Sequence, residues 1–182
     1  MNQNQTPSTW SSTNLIVGDA TENEIEELQK VYDNCSYIGE WTGLESKNEH
    51  PMVAEFGHKN LPPNGIAENH RLQSIKLKEN NKIVGYFVLY HGFPEEKTFW
   101  IAVLAIHTDY QGKKFGQEVV KQLVEEVKKL KSYKNIGLTV GIKNWPAIRF
   151  WFGAGFNKIL AFKGDKIYNE KAFADLWLEQ TI

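Results

Sequence analysis

Six consecutive residues, Gln111-Gly112-Lys113-Lys114-Phe115-Gly116, place two glycines and two cations at the head of a long amphipathic pattern. Behind them Val119, Val120, Leu123, Val124, Val127 and Leu130 recur at helical spacing, with Lys and Glu between. The first turn of a helix has N–H groups without intrahelical acceptors, and the peptide dipoles add partial positive charge there. Gly112 and Gly116 let the main chain approach a ligand closely, and Lys113 and Lys114 bring formal charge. A phosphate or pyrophosphate suits such a junction. Each helix-end charge interaction contributes only about 0.3 to 1 kcal/mol, so several amides must act together. A plain turn with solvated lysines fits the same residues, and both readings stay open.

Two phosphate loops are excluded by spacing. A Walker loop needs Gly-x-x-x-x-Gly-Lys-Ser/Thr, which Gly112 to Gly116 does not supply. The dinucleotide fingerprint Gly-x-Gly-x-x-Gly is also missing, which argues against nicotinamide or flavin chemistry.

The wider stretch Ile106-His107-Thr108-Asp109-Tyr110-Gln111-Gly112-Lys113-Lys114-Phe115-Gly116 resembles the acetyl-CoA signature of the GNAT N-acetyltransferases, a loop of the form Arg/Gln-x-x-Gly-x-Gly/Ala. Gln111 and Gly116 match it, while Lys114 stands where that family usually has glycine. A second resemblance lies in Asn144-Trp145-Pro146-Ala147-Ile148-Arg149-Phe150-Trp151-Phe152-Gly153-Ala154-Gly155-Phe156, against a family pattern of Asn, Ala three residues on, usually a Tyr, then Gly-Phe. Two motifs in the right order are far more specific than either alone.

The resemblance implies an α/β fold with a mixed, mostly antiparallel sheet, a central parallel pair of strands that splay apart, and helices on both faces. The pantetheine arm of acetyl-CoA would lie in the V. By position, Leu104 and Ile106 would offer it backbone groups, and Gln111, Gly112, Lys113, Lys114, Phe115 and Gly116 would hold the pyrophosphate. Asn144 and Trp151 would touch the cofactor from the second strand's side, and the N–H of Ile106 would serve as oxyanion donor. The implied reaction is acetyl transfer to a primary amine of a small molecule or peptide, by direct attack in a ternary complex.

Such a reaction sets a quantitative demand. A lysine-like amine with a pKa near 10.4 is neutral in about one molecule in a thousand or fewer at pH 7, a deficit of roughly 4 kcal/mol. A group must take the proton. Many family members place a Glu early in the strand before the loop, and a Tyr after the Asn-x-x-Ala motif; here those positions hold Trp100 and Trp151. Indole N–H is too weak an acid to replace a phenol. Glu40, His91, Glu95 and Glu96 remain as candidates for a base reached through water, and the general base is left unassigned. A weakly basic acceptor would need less help. A chain that binds acyl-CoA without transferring the acyl group is the competing class. Trp41, Trp100 and Trp151 fit either a cation–π pocket or ordinary core.

The elements that must position these groups follow from turn signals. Residues 14–17 read as a first strand, and Thr21 with Glu24 as a capping box for a helix with Ile25, Leu28, Val31 and Tyr32 on its apolar face. Glycines and prolines break up residues 37–65, where Met52, Val53 and Phe56 suit one short helix. Residues 71–78 and 83–90 form a hairpin around Asn80-Asn81, and residues 99–106 a third antiparallel strand. After the long helix come a strand over 135–141, a short helix over 145–152, and closing strands over 156–162 and 172–178. Residues 1–13 read as a flexible tail, without the apolar core of a signal peptide, and 14–182 as one domain.

Composition narrows the classes further. The chain has 182 residues, with 21 basic and 22 acidic side chains and a net charge near −1. Neutrality, and Glu118, Glu125 and Glu126 among the helix lysines, argue against a nucleic-acid partner or an anionic membrane surface. Cys35 is the one cysteine, which rules out an internal disulfide and fits a cytoplasmic protein. No metal-ligand spacing is present, so no metal is expected. Monomer and homodimer stay open.

Overall fold

The computed structural model describes residues 5–43, 50–167 and 169–182. Eight strands form one sheet in the order β1-β2-β3-β4-β5-β6-β8-β7. They are β1 (Thr9–Ser11), β2 (Leu15–Asp19), β3 (His70–Leu77), β4 (Ile83–His91), β5 (Thr98–Ile106), β6 (Asn135–Gly141), β7 (Lys158–Gly164) and β8 (Ala174–Thr181). The helices are α1 (Ile25–Asn34), α2 (Gly39–Thr42), α3 (Pro51–Phe56), α4 (Phe115–Leu130) and α5 (Trp145–Gly153). All neighbouring strands run antiparallel except β5 and β6. The mixed α/β architecture read from the sequence is the one observed.

Apolar faces sort the helices onto two sides. Val119, Val120, Leu123, Val124 and Val127 of α4, with Trp151 of α5, pack against Phe87, Phe99, Ile101 and Ile136 on one face. Leu28 and Val31 of α1 and Met52 of α3 pack with Leu72, Tyr86, Val88 and Ala105 on the other. The capping box forms: the Thr21 N–H donates to Glu24 Oε2 at 2.9 Å. Pro146 sits in the first turn of α5, where a missing N–H costs nothing.

Two expectations need correction. The tail expected over residues 1–13 is not a tail from Thr9 onward, because Thr9–Ser11 pairs with β2 and Trp10 is 6% exposed. The Trp10 indole lies by Phe87 and donates to Gln73 Oε1 at 3.1 Å, a long-range burial that a short polar-flanked segment does not announce. The Glu118 carboxylate on α4 fastens the β1–β2 turn, accepting from Asn14 N–H at 2.6 Å and Asn14 Nδ2 at 2.8 Å. The closing strands also start two residues later than expected. Phe156 is fully buried and its N–H bonds back to Trp151, so Gly155 and Phe156 belong to the exit from α5.

One irregularity in β5 shapes the middle of the sheet. Ile101 pairs with Leu89 and Val103 with Val88, so Ala102 is an extra, bulged residue. A bulge reverses the alternation of side chains. Before it Phe99 and Ile101 face α4; after it Leu104 and Ile106 do, while Val103 and Ala105 face α1. Pairing between β5 and β6 ends at the same point, with Ile101 opposite Leu138. Beyond it β6 turns to β8 alone, from Thr139 to Gly141, and the two parallel strands separate.

Candidate active site

The open side of β5 begins where the bulge ends. His107 N–H bonds to Val84 of β4, and residues along a strand alternate between facing one neighbour and the other. Ile106 therefore faces away from β4, and its carbonyl accepts from Gln111 Nε2 at 2.8 Å and from Cys35 Sγ at 3.4 Å. Leu104 has the same phase. Both present main-chain groups to the gap left by β6.

Next to this gap the chain makes its glycine turn. Gly112 has φ 73° and Lys114 φ 66°, both left-handed. A Cβ on Gly112 would meet no atom within 4 Å, whereas one on Gly116 would lie 3.2 Å from the Phe150 ring. Gly112 is thus favoured by backbone conformation beside open space, and Gly116 by helix packing. Among the described residues no acceptor engages the N–H groups of residues 112–117; the first bonded amide of α4 is that of Glu118, to Lys114. Six unengaged amides at a helix start make an anion site without any side chain.

Two cavities meet across the gap. One, of about 520 Å³, is lined by Tyr37, Trp41, Leu104, Ile106, the glycine turn, Phe150 and Trp151. The other, of about 270 Å³, lies toward α1 and the β8 side and is lined by Tyr32, Cys35, Tyr86, Thr139, Gly141 and Asp175 among others. Ile38, Leu104, Asn144, Ala147 and Trp151 belong to both walls.

The remaining expected residues sort clearly. Lys114 and Phe115 line the larger cavity, but Lys113 does not; its ammonium lies 5.0 Å from the Tyr110 ring centre. The Gln111 side chain is turned inward to the Ile106 carbonyl. Asn144 caps α5 by accepting from Ala147 N–H at 3.2 Å, which leaves its amide N–H groups for the cavity. Trp151 is buried against Phe150 and Phe156 at the junction of the cavities. Burial pushes the Cys35 thiol up to about 11, which favours its protonated form.

This arrangement can be set beside known proteins. The model of the acetyltransferase (GNAT) family matches residues 26–156. The chain belongs to that family. A probable spermine N(1)-acetyltransferase of Bacillus subtilis subsp. natto (strain BEST195) is 32% identical over 108 residues, 55% of this chain and 70% of the relative. The spermine/spermidine N(1)-acetyltransferase of Bacillus subtilis (strain 168) aligns with the same figures. Among solved structures, a GNAT-family acetyltransferase from Bacillus anthracis superposes with a TM-score of 0.72 at 16% identity, covering 95% of this chain and 98% of that one. A spermidine N-acetyltransferase from Vibrio cholerae in complex with CoA and spermine gives 0.71 at 14% identity, with 92% and 95% covered.

The protein is thus a GNAT acetyltransferase, with acetyl-CoA as the acetyl donor. The unbonded amides, the open space at Gly112 and the free edge of β5 fit that donor. None of the candidate bases from the sequence lines either cavity. Glu40, Glu95 and Glu96 are exposed elsewhere. His91 is buried at the far end of β4, accepting from Thr6 N–H at 3.2 Å on Nε2 and donating from Nδ1 to the Asn69 carbonyl. Burial holds it down to about 4. Trp100 is likewise core, with rings of Phe93 and Trp177 centred 5.1 and 5.2 Å away. Of the three tryptophans, Trp41 and Trp151 line the larger cavity and Trp100 lines neither.

Asp175, the described carboxylate that lines one of these two cavities, was missed. Its signal was an acid in the otherwise apolar Ala174-Asp175-Leu176-Trp177-Leu178. No hydrogen bond or ion pair reaches it among the described residues, and burial raises its pKa. No metal-holding group of His, Cys, Asp and Glu exists among the described residues, and no described helix is long and apolar enough to cross a membrane.

Proposed function

We propose that this acetyltransferase acts in the cytoplasm on a primary amine of a small polycation, the polyamine class, by direct attack within a ternary complex. The observation that carries the proposal is the pair of confluent cavities on the free edge of β5, one beside the unbonded amides of residues 112–117 and one beside Asp175. Two polyamine acetyltransferases among the relatives support the acceptor class.

Acetyl-CoA supplies the activated acetyl group. The amides of Gly112, Lys113, Lys114, Phe115, Gly116 and Gln117 hold its pyrophosphate, assisted by the Lys114 charge. Gln111 acts from within, tying Ile106 to the loop through the 2.8 Å bond to its carbonyl. The pantetheine arm therefore passes Ile106 first and Leu104 about 7 Å further in, at the rise of an extended strand. On that reckoning the oxyanion donor is the Leu104 N–H, with the Ile106 N–H serving the arm. Asn144 offers its free amide hydrogens, and Trp151 walls the junction. Cys35 takes no covalent part.

Free-thiol release from acetyl-CoA, measured against polyamines, aminoglycosides, amino acids and peptides, tests the proposal. Polyamines should give the highest kcat/KM. CoA binding in calorimetry without thiol release on any amine would establish the binding-module reading instead.

A further inference from the structure

The smaller cavity contains a charge that the fold itself does not use. Asp175 sits on β8, opposite Gly141 on β6 and Lys163 on β7. Its carboxylate is half-buried, and yet no described residue pairs with it. The cross-strand Lys163 would be the expected partner, but its ammonium instead lies over the Trp177 ring, 3.7 Å from the centre. The other titratable groups of the cavity are the hydroxyls of Tyr32 and Tyr86 and the Cys35 thiol, all uncharged partners for a carboxylate. Burying an unpaired carboxylate is costly, so this wall gains from a cation that arrives with a ligand.

Position distinguishes an anchor from a proton acceptor. If the pantetheine arm occupies the gap as an added strand, Asp175 lies two strand spacings from it, about 10 Å across the sheet. A general base must come within about 2.6 to 3.2 Å of the proton it takes, or act through one water. Asp175 is too far from the attacked carbonyl for that, and well placed for a second charged nitrogen a short alkyl chain away.

We infer that Asp175 is the specificity-determining anchor for a distal ammonium of the acceptor, so that the enzyme prefers diamines and polyamines over monoamines. This rests on the proposed transfer to an amine. Neither Lys163 nor Trp177 lines the cavity, so the Lys163 ammonium over the Trp177 face leaves the Asp175 carboxylate to a ligand.

Kinetics with diaminobutane and butylamine as acceptors, on wild type, Asp175→Asn and Lys163→Ala, test the anchor. For Asp175→Asn, KM for diaminobutane should rise about ten- to hundredfold with kcat within about threefold, a KM loss at least tenfold larger than with butylamine. Lys163→Ala, which removes the neighbouring cation, should lower KM for diaminobutane. Equal losses on both acceptors, or a fall confined to kcat, would overturn the assignment. Calorimetry of diaminobutane with the CoA complex separates it from the catalytic reading. Weaker binding by Asp175→Asn supports the anchor even where no thiol is released, and unchanged binding refutes it.

Discussion

The two halves of β5 differ in what holds them. From Phe99 to Ile101 the strand has β4 on one side and β6 on the other; from Val103 to Ile106 it has β4 alone. The closed half is backed by His91, Phe99 and Tyr133, whose rings lie edge to face, and by Trp100. The open half keeps unused main-chain groups and is held at its tip by two donors on one carbonyl. One inserted residue, Ala102, separates a segment paired on both sides from a segment with an open edge, which the proposed function assigns to the ligand.

The largest expected effect strikes the closed half through pH. His91 pairs with Phe99, and burial lowers its pKa from near 6.5 to about 4. The unfolded chain then binds protons more readily than the folded one. Stability is complete above pH 6.5 and drains away as the pH falls toward 4, by about 3 kcal/mol in total. Thermal melts across that window should show the loss, and His91→Gln should flatten the slope. A wild-type melting temperature insensitive to pH between 7 and 4 would refute the burial argument.

Gly112 and Gly116 break the comparison from the other side. Gly112→Val keeps open space around its side chain, so the cost to folding is the left-handed backbone alone, about 1 to 2 kcal/mol. The cost to CoA affinity, through blocked approach to the amides, should reach about a hundredfold, equivalent to a few hydrogen bonds. Gly116→Val should reverse the ranking. Its side chain meets Phe150, so melting temperature should fall by more than with Gly112→Val. Calorimetry and melting curves on both variants decide whether the two glycines have separate duties.

Cys35→Ala tests the tip of the open half more gently. The thiol gives one weak hydrogen bond to Ile106 and fills a small buried volume, so about 1 kcal/mol of stability should go. Direct attack forms no acyl-cysteine, so on that proposal turnover should persist without a burst phase. Loss of all activity in a variant that melts normally would contradict direct attack.

What was legible in the sequence follows the same division. The glycine turn and α4 were readable because their residues are contiguous and their physics is local: φ freedom, helix-end amides, heptad-like spacing. Asn144 was readable only through its motif, and its capping of α5 emerges from the fold. The bulge at Ala102 was hidden inside an unbroken apolar run, where no residue type marks a change of phase. Asp175 was hidden because its place in the cavity depends on β8 lying between β6 and β7, a long-range register that neighbouring residues do not encode. Thr9–Ser11 failed as a tail for a similar reason, its burial depending on Gln73 and Phe87 more than sixty residues away.

The smallest effect concerns Lys114, where this chain departs from its family. The residue caps α4 with φ 66°, a conformation that costs a side chain about 1 to 2 kcal/mol and glycine almost nothing. Glycine there also frees the unfolded chain, which offsets about 0.5 to 1 kcal/mol of the gain. Lys114→Gly should therefore be more stable than Lys114→Ala by only about 0.5 to 1 kcal/mol, read from denaturant midpoints. Both variants lose the same charge, worth about 0.3 to 1 kcal/mol toward an anion at a helix start, so both should bind CoA less than about fivefold more weakly. If Lys114→Gly instead binds more tightly than wild type, the side chain obstructs the amides more than its charge helps, and the departure from glycine reflects a demand other than affinity for the donor.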